Sequence, residues 1–76
     1  MVTNEELGRK IGVGHSMASR IRSGDRLPST KVLARISAEL DIPLETLVET
    51  HAKGPKAFGR LIRARLQMQE AETQAA

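Results

Sequence analysis

Apolar residues recur at spacings of three and four along most of the chain, and no stretch alternates in the manner of a strand, so the pattern predicts helices throughout. The first starts at Thr3: Thr3 with Glu6 has the spacing of a capping box, and Val2 with Leu7 that of a hydrophobic staple across the same end. Leu7, Gly8 and Ile11 share a face, and Gly12 predicts the stop, because glycine adopts the left-handed conformation without penalty. Val13 is then expected to plug the turn into the core. A second helix restarts at about Gly14 or His15, with Met17, Ala18 and Ile21 on one side and His15, Ser16, Ser19, Arg20 and Ser23 on the other. Gly24 ends it, and "DRLPS" reads as a loop. Near the C-terminus, after "HAKGP", the run "PKAFGRLIRARLQMQEAE" is a strong helix former with Phe58, Leu61, Ile62, Leu66 and Met68 on one broad arc.

Composition narrows what such a bundle does. A chain of 76 residues supports one core. With no Cys and only two separated His residues it offers neither a disulfide framework nor a zinc ligand set, so no metal and no cofactor are expected. No apolar run approaches a membrane span, and "MVTNEELG" lacks the regions of a signal peptide, so no membrane association is expected and a reducing cytoplasm is the expected location. The net charge is only +3, but its distribution is uneven: residues 9–35 carry seven Lys and Arg against the single acid Asp25, whereas residues 36–50 carry Glu39, Asp41, Glu45 and Glu49 and no base. A basic pole and an acidic pole suit a molecule that docks one face on phosphate, although a solvated charged surface has the same composition.

Two short helices at a steep angle, joined by a glycine-containing turn of three or four residues, are what a helix-turn-helix requires. At Gly8, where the second helix is expected to cross the first closely, any side chain beyond alanine would hold the two apart; glycine allows that approach at about 1 kcal/mol of helix propensity. "NEELGRKIGVGHSMASRIRSGDRLPS" resembles the helix-turn-helix of the Cro and lambda-repressor (XRE) family, with the small residue at Gly8, the turn glycine at Gly12, the turn apolar residue at Val13 and core positions at Leu7, Ile11, Ala18 and Ile21. The resemblance continues through "STKVLARISAELDIPLETLVE", which is similar to the family's next two helices. It implies Ser29 as N-cap, core at Val32, Leu33, Ile36 and Leu40, a break at Asp41 to Pro43, and core again at Leu44, Leu47 and Val48. The implied fold is all-α: a compact, lambda-repressor-like bundle of about five short helices. Residues 1–50 are expected to form the DNA-binding core, 51–55 a linker, and 56–76 a C-terminal helix with a frayed tail.

Two departures from the family bear on the reading. The family opens with a helix ahead of the motif, whereas here the motif begins at the third residue. "FGRLIRARL" resembles that missing first helix, so Phe58, Leu61, Ile62 and Leu66 are expected either to take its place, within the chain or exchanged with a partner, or to form a dimerisation helix. Secondly, Arg22 stands where family members often carry a Glu paired with an Arg of the first helix. Arg22 is therefore assigned to phosphate, and Arg65, on the apolar arc, needs Glu39, Glu45 or water as its partner.

Site roles follow from the resemblance. The second helix is expected in the major groove, with Ser16 and Arg20, then His15 and Ser19, against the bases. Arg forks onto guanine O6 and N7, and a Ser hydroxyl donates or accepts. Asn4, Arg22, Ser23, Arg26 and Lys31 are expected at phosphates. Ser23 has the alternative of a local cap, His15 of a place at the rim, and Met17 reads as core. No catalytic set, glycine-rich phosphate loop or metal cluster is present in the sequence, so an enzyme and a small-molecule ligand are not expected. A non-catalytic interaction module such as an antitoxin, or an excisionase-like architectural protein, shares the fold, but Ser, Ser and Arg in a basic surround suit DNA better than they suit a protein partner. The implied function is a phage Cro-type repressor acting as a homodimer, in solution or only on its double-stranded operator, in the nucleoid of a bacterial host.

Overall fold

The computed structural model describes residues 2–75, with side-chain surroundings for residues 2–71. It is all-helical among the described residues: α1 (Asn4–Ile11), α2 (His15–Ser23), α3 (Thr30–Leu40), α4 (Leu44–Lys53) and α5 (Pro55–Ala75). The local signals operate as their chemistry requires. The Thr3 side chain accepts from the Glu6 N–H at 3.1 Å, and α1 carries Glu5 and Glu6 at its start and Arg9 and Lys10 at its end, each sign favourable for the helix dipole. Gly12 and Gly24 end α1 and α2 at φ 78° and 86°, left-handed values that a side chain would strain. Ser29 precedes α3, but its side chain makes no capping bond.

One core fills the space between the helices. Leu7, Ile11, Ala18, Ile21, Leu33, Ile36, Leu40, Leu47, Phe58, Ile62 and Leu66 are buried, and Val2, Val13, Met17, Val32 and Leu61 pack partly against them. Ile42 joins this core as well: Asp41 takes up φ 54°, and the reversed chain turns Ile42 inward while the Ser37 hydroxyl donates to its carbonyl at 2.6 Å.

Several expectations are corrected here. Leu44 and Val48 are not core; they are 46% and 52% exposed, because α4 packs on α3 and α5 along Leu47 and His51 and none of the described residues covers its other side. Met68 is likewise exposed, at the margin of the α5 arc. Residues 51–55 do not form a separate linker: residues 51–53 finish α4, Gly54 alone intervenes, and Pro55 opens α5 in the first-turn position where its missing N–H costs nothing. The helix then runs through Ala75, and the end of the expected frayed tail, Ala76, lies outside the described residues. At Gly8 the tight approach is to the turn rather than to the crossing helix, since a Cβ there would stand 2.6 Å from the Val13 carbonyl oxygen, so even alanine meets backbone.

The C-terminal helix packs within its own chain, between α2 and α4. Its closest approach is backbone to backbone: a Cβ on Gly59 would lie 2.8 Å from both the Cα and N of Gly24 and 3.0 Å from the Ile21 carbonyl oxygen. Arg65 finds neither Glu39 nor Glu45. It donates to the Leu40 carbonyl at 2.7 Å and lies 3.7 Å from the Asp41 carboxylate, occupying the exposed C-terminal end of α3 where a cation is favoured. His51 ties α4 to the loop ahead of α3 and to α5, with Nε2 donating to the Pro28 carbonyl at 2.9 Å and the ring meeting Phe58 edge to face at 6.0 Å.

Candidate nucleic-acid interface

The site is built on α2, whose inner side is fixed by the burial of Ala18 and Ile21 and whose entry is fixed by the Gly8 contact with the turn. That leaves His15, Ser16 and Arg20 exposed and Ser19 half-buried on the outer side. Among the described residues none of these four side chains makes a hydrogen bond or an ion pair. Because the preceding residue is Gly14, no side chain caps the first N–H groups of α2, so the end of the helix is open to an external acceptor.

Beside this face runs an open groove of about 530 Å³ lined by Val2, Thr3, Asn4, Ser19, Arg22, Ser23 and Arg63. Asn4 sits in the first turn of α1 with its Oδ1 buried and without a partner. Arg22 is half-buried because it reaches back along the first turn, donating through Nη1 to the Val2 carbonyl. Four of its five guanidinium N–H groups remain for other acceptors, which suits a cation that both braces the N-terminal segment and faces an anion. Ser23 is different. Its hydroxyl lies 3.1 Å from the Arg20 carbonyl and 3.0 Å from the Asp25 carboxylate, and its one proton goes to one or the other. With a carboxylate at its side, Ser23 is engaged locally at the end of α2.

Arg26, in the loop after α2, and Lys31, in the first turn of α3, are exposed and free of ion pairs among the described residues. Arg35, by contrast, is committed to structure: Nε donates to the Lys10 carbonyl at 2.7 Å and Nη2 to the Arg9 carbonyl at 3.1 Å, closing the C-terminal end of α1. The remaining site residues named from the sequence, Phe58, Ile62 and Leu66, are buried in the core and Leu61 is half-buried against it. Two contributors were not assigned from the sequence. Arg63 enters the groove from α5 by donating to the Arg22 carbonyl, a contact 41 positions distant in the chain, and Gly59 allows α5 to come close enough for it. Only the missing side chain at position 59, next to the core residue Phe58, hinted at that contact.

Chemically the arrangement offers short hydrogen-bonding groups and one long forked cation on the exposed side of α2, with further cations on either side. Among the described residues no group of His, Asp and Glu is placed to hold a metal ion, and no helix is long and apolar enough to cross a membrane. The family model described as "Helix-turn-helix" matches residues 1–47. No curated protein and no solved structure matches the chain. The matched residues take in α1, the turn, α2, α3 and the start of α4, and with these elements placed as described the chain belongs to the helix-turn-helix family of XRE type, whose members are DNA-binding regulators.

Proposed function

We propose that the protein is a sequence-specific transcriptional regulator of Cro type, a phage repressor that inserts α2 into the major groove of a double-stranded operator. The observation that carries this reading is the outer side of α2, where His15, Ser16, Ser19 and Arg20 stand together without internal partners. An unpaired polar side chain on a rigid helix costs the protein nothing in water and is free to meet a base edge. Ser16 and Arg20 are the principal readers, His15 and Ser19 the flanking ones, and Asn4, Arg22, Arg26 and Lys31 hold the phosphates on the two sides.

Two copies on a two-fold symmetric operator belong to the same reading. On α4, Leu44 and Val48 are exposed, with Glu45 in the first turn and Glu49 near the middle of the helix. Antiparallel pairing of two such helices sets Val48 against its counterpart. Two side chains bury far less than the roughly 1,200–2,000 Å² of a stable complex, so pairing is confined to copies already side by side on DNA.

Selection of bound duplexes from a random pool at physiological salt tests the proposal. A two-fold symmetric motif is expected, with half-sites about 34–36 Å apart; absence of any enriched sequence overturns the specific-regulator reading. On the selected site Arg20→Ala is expected to cost about 1–3 kcal/mol and to relax preference at one base pair. Arg26→Ala or Lys31→Ala weakens all sequences alike. Equal losses for Arg20→Ala on every duplex would remove it from the readers.

A further inference from the structure

Core packing leaves part of α5 unused. Lys56, Arg60 and Arg63 follow one another at spacings of four and three and so form one exposed line along the helix. Residues 55–69 contain no acid, so nothing on the helix at those spacings neutralises the line. Among the described residues Lys56 and Arg60 have no hydrogen bond or ion pair, and Arg63 has only the Arg22 carbonyl. Three like charges at helical spacing repel one another by a few tenths of a kcal/mol per pair, so the line has an energetic cost that the fold itself does not recover.

Its position relative to the neighbouring helices is the second observation. At about 100° per residue, Gly59 marks the side of α5 that touches α2, and Arg65 with Gln69 marks the side that reaches Leu40 at the end of α3. The three cations lie next to the Gly59 side. They therefore border α2: the Lys56 backbone packs against Gly24 just past its end, and Arg63 lines the same groove as Asn4 and Ser19. The line runs from that groove along the flank of the DNA-facing helix, with the acidic segment of residues 36–50 on other elements.

We propose that Lys56, Arg60 and Arg63 form a phosphate-contacting rail, so that α5 is part of the DNA interface as well as of the core. Seven residues of helix span about 10 Å, which is the axial rise of about three phosphates on one strand. The rail follows the duplex backbone outside the stretch read by α2. It adds affinity and orientation without adding sequence preference, because a phosphate is the same at every base pair. The proposal rests on the reading of α2 as the DNA-facing helix.

The test is the salt dependence of binding to the selected duplex, for the wild type and for the Lys56→Ala/Arg60→Ala double variant, which leaves the Arg63 contact to Arg22 in place. Each lost phosphate contact lowers the slope of log K against log salt by about 0.9. The double variant should therefore lose about 1.8 of slope, and its affinity deficit should shrink about tenfold between 50 and 200 mM salt. Its sequence preference should not change, and its thermal midpoint should hold or rise slightly as the like-charge repulsion is relieved. The Lys56→Arg/Arg60→Lys variant should keep the wild-type slope, since the contact is with charge. Wild-type binding with an unchanged slope in the double variant overturns the rail while leaving the α2 reading intact. Absence of any duplex binding by the wild type overturns both.

Discussion

Replacing Gly59 by alanine sets two effects of known size against each other. Glycine inside a helix is worse than alanine by about 1 kcal/mol, so at an indifferent site the substitution stabilises. At this site the new Cβ would lie 2.8 Å from two backbone atoms of Gly24 and 3.0 Å from the Ile21 carbonyl oxygen. Backbone cannot rotate away as a side chain does, so α5 must lift by roughly 0.5–1 Å to restore ordinary contact, a gap that forfeits about a quarter to a half of each affected van der Waals well. Phe58 and Ile62 flank the position and are almost fully buried. At about 1.5–3 kcal/mol for each buried side chain, a quarter of their burial is about 1 kcal/mol, and overpacking adds about 1–3 kcal/mol. The net is a destabilisation of about 1–3 kcal/mol after subtracting the propensity gain, equivalent to a fall in thermal midpoint of roughly 5–25 °C for a domain of this size. The chain has no Trp or Tyr, so far-UV circular dichroism rather than intrinsic fluorescence is the readout. The control is Ala64→Gly at an exposed position of the same helix, which should cost only about 1 kcal/mol. A Gly59→Ala protein that melts above the wild type would refute the backbone contact between α5 and the end of α2.

Three other outcomes follow from the same structure. Thr3→Ala removes the acceptor for the Glu6 N–H and should cost about 0.5–2 kcal/mol in urea unfolding, with Thr3→Ser restoring most of it. His51→Ala leaves the Pro28 carbonyl without its donor and Phe58 without its edge contact, for a loss of about 1–3 kcal/mol by thermal melting. A chain ending at Gly54 loses the burial of Phe58, Ile62 and Leu66, about 5–9 kcal/mol at 1.5–3 kcal/mol each, which is comparable to the whole stability of a small domain. It should show no cooperative melt; a cooperative melt would mean that residues 1–54 complete a core on their own.

The helix-turn-helix was readable because its determinants are local. Thr3 with Glu6, the left-handed glycines at positions 12 and 24, and the apolar spacing of Leu7, Ile11, Ala18 and Ile21 each act within a turn or two of themselves. The outer side of α2 follows from the same period, so placing His15, Ser16, Ser19 and Arg20 together required no knowledge of the rest of the molecule. Leu44 and Val48 escaped because burial depends on what stands opposite, and apolar spacing does not say whether a neighbour is there. "HAKGP" reads as a linker by composition, yet Gly54 at φ 114° turns the chain within one residue and Pro55 is pre-set for a first helical turn. Arg22, Arg63 and Arg65 were legible as charges and not as contacts, since each is satisfied by a backbone carbonyl from a distant part of the chain, to which any residue could have contributed.

The segment just ahead of α1 and the late turns of α5 are held together, with the Val2 N–H donating to the Glu70 carboxylate at 2.8 Å. A short connection from Glu70 to Val2 in place of the last residues of α5, with the chain opened at Gly54, would therefore give the order α5, α1, α2, α3, α4 with the packed parts of every helix where they are. In that order "FGRLIRARL" precedes the helix-turn-helix, as the corresponding helix does in the family it resembles. The packed surfaces thus do not depend on the covalent link at Gly54, and a gene circularly permuted there would encode the same set of them.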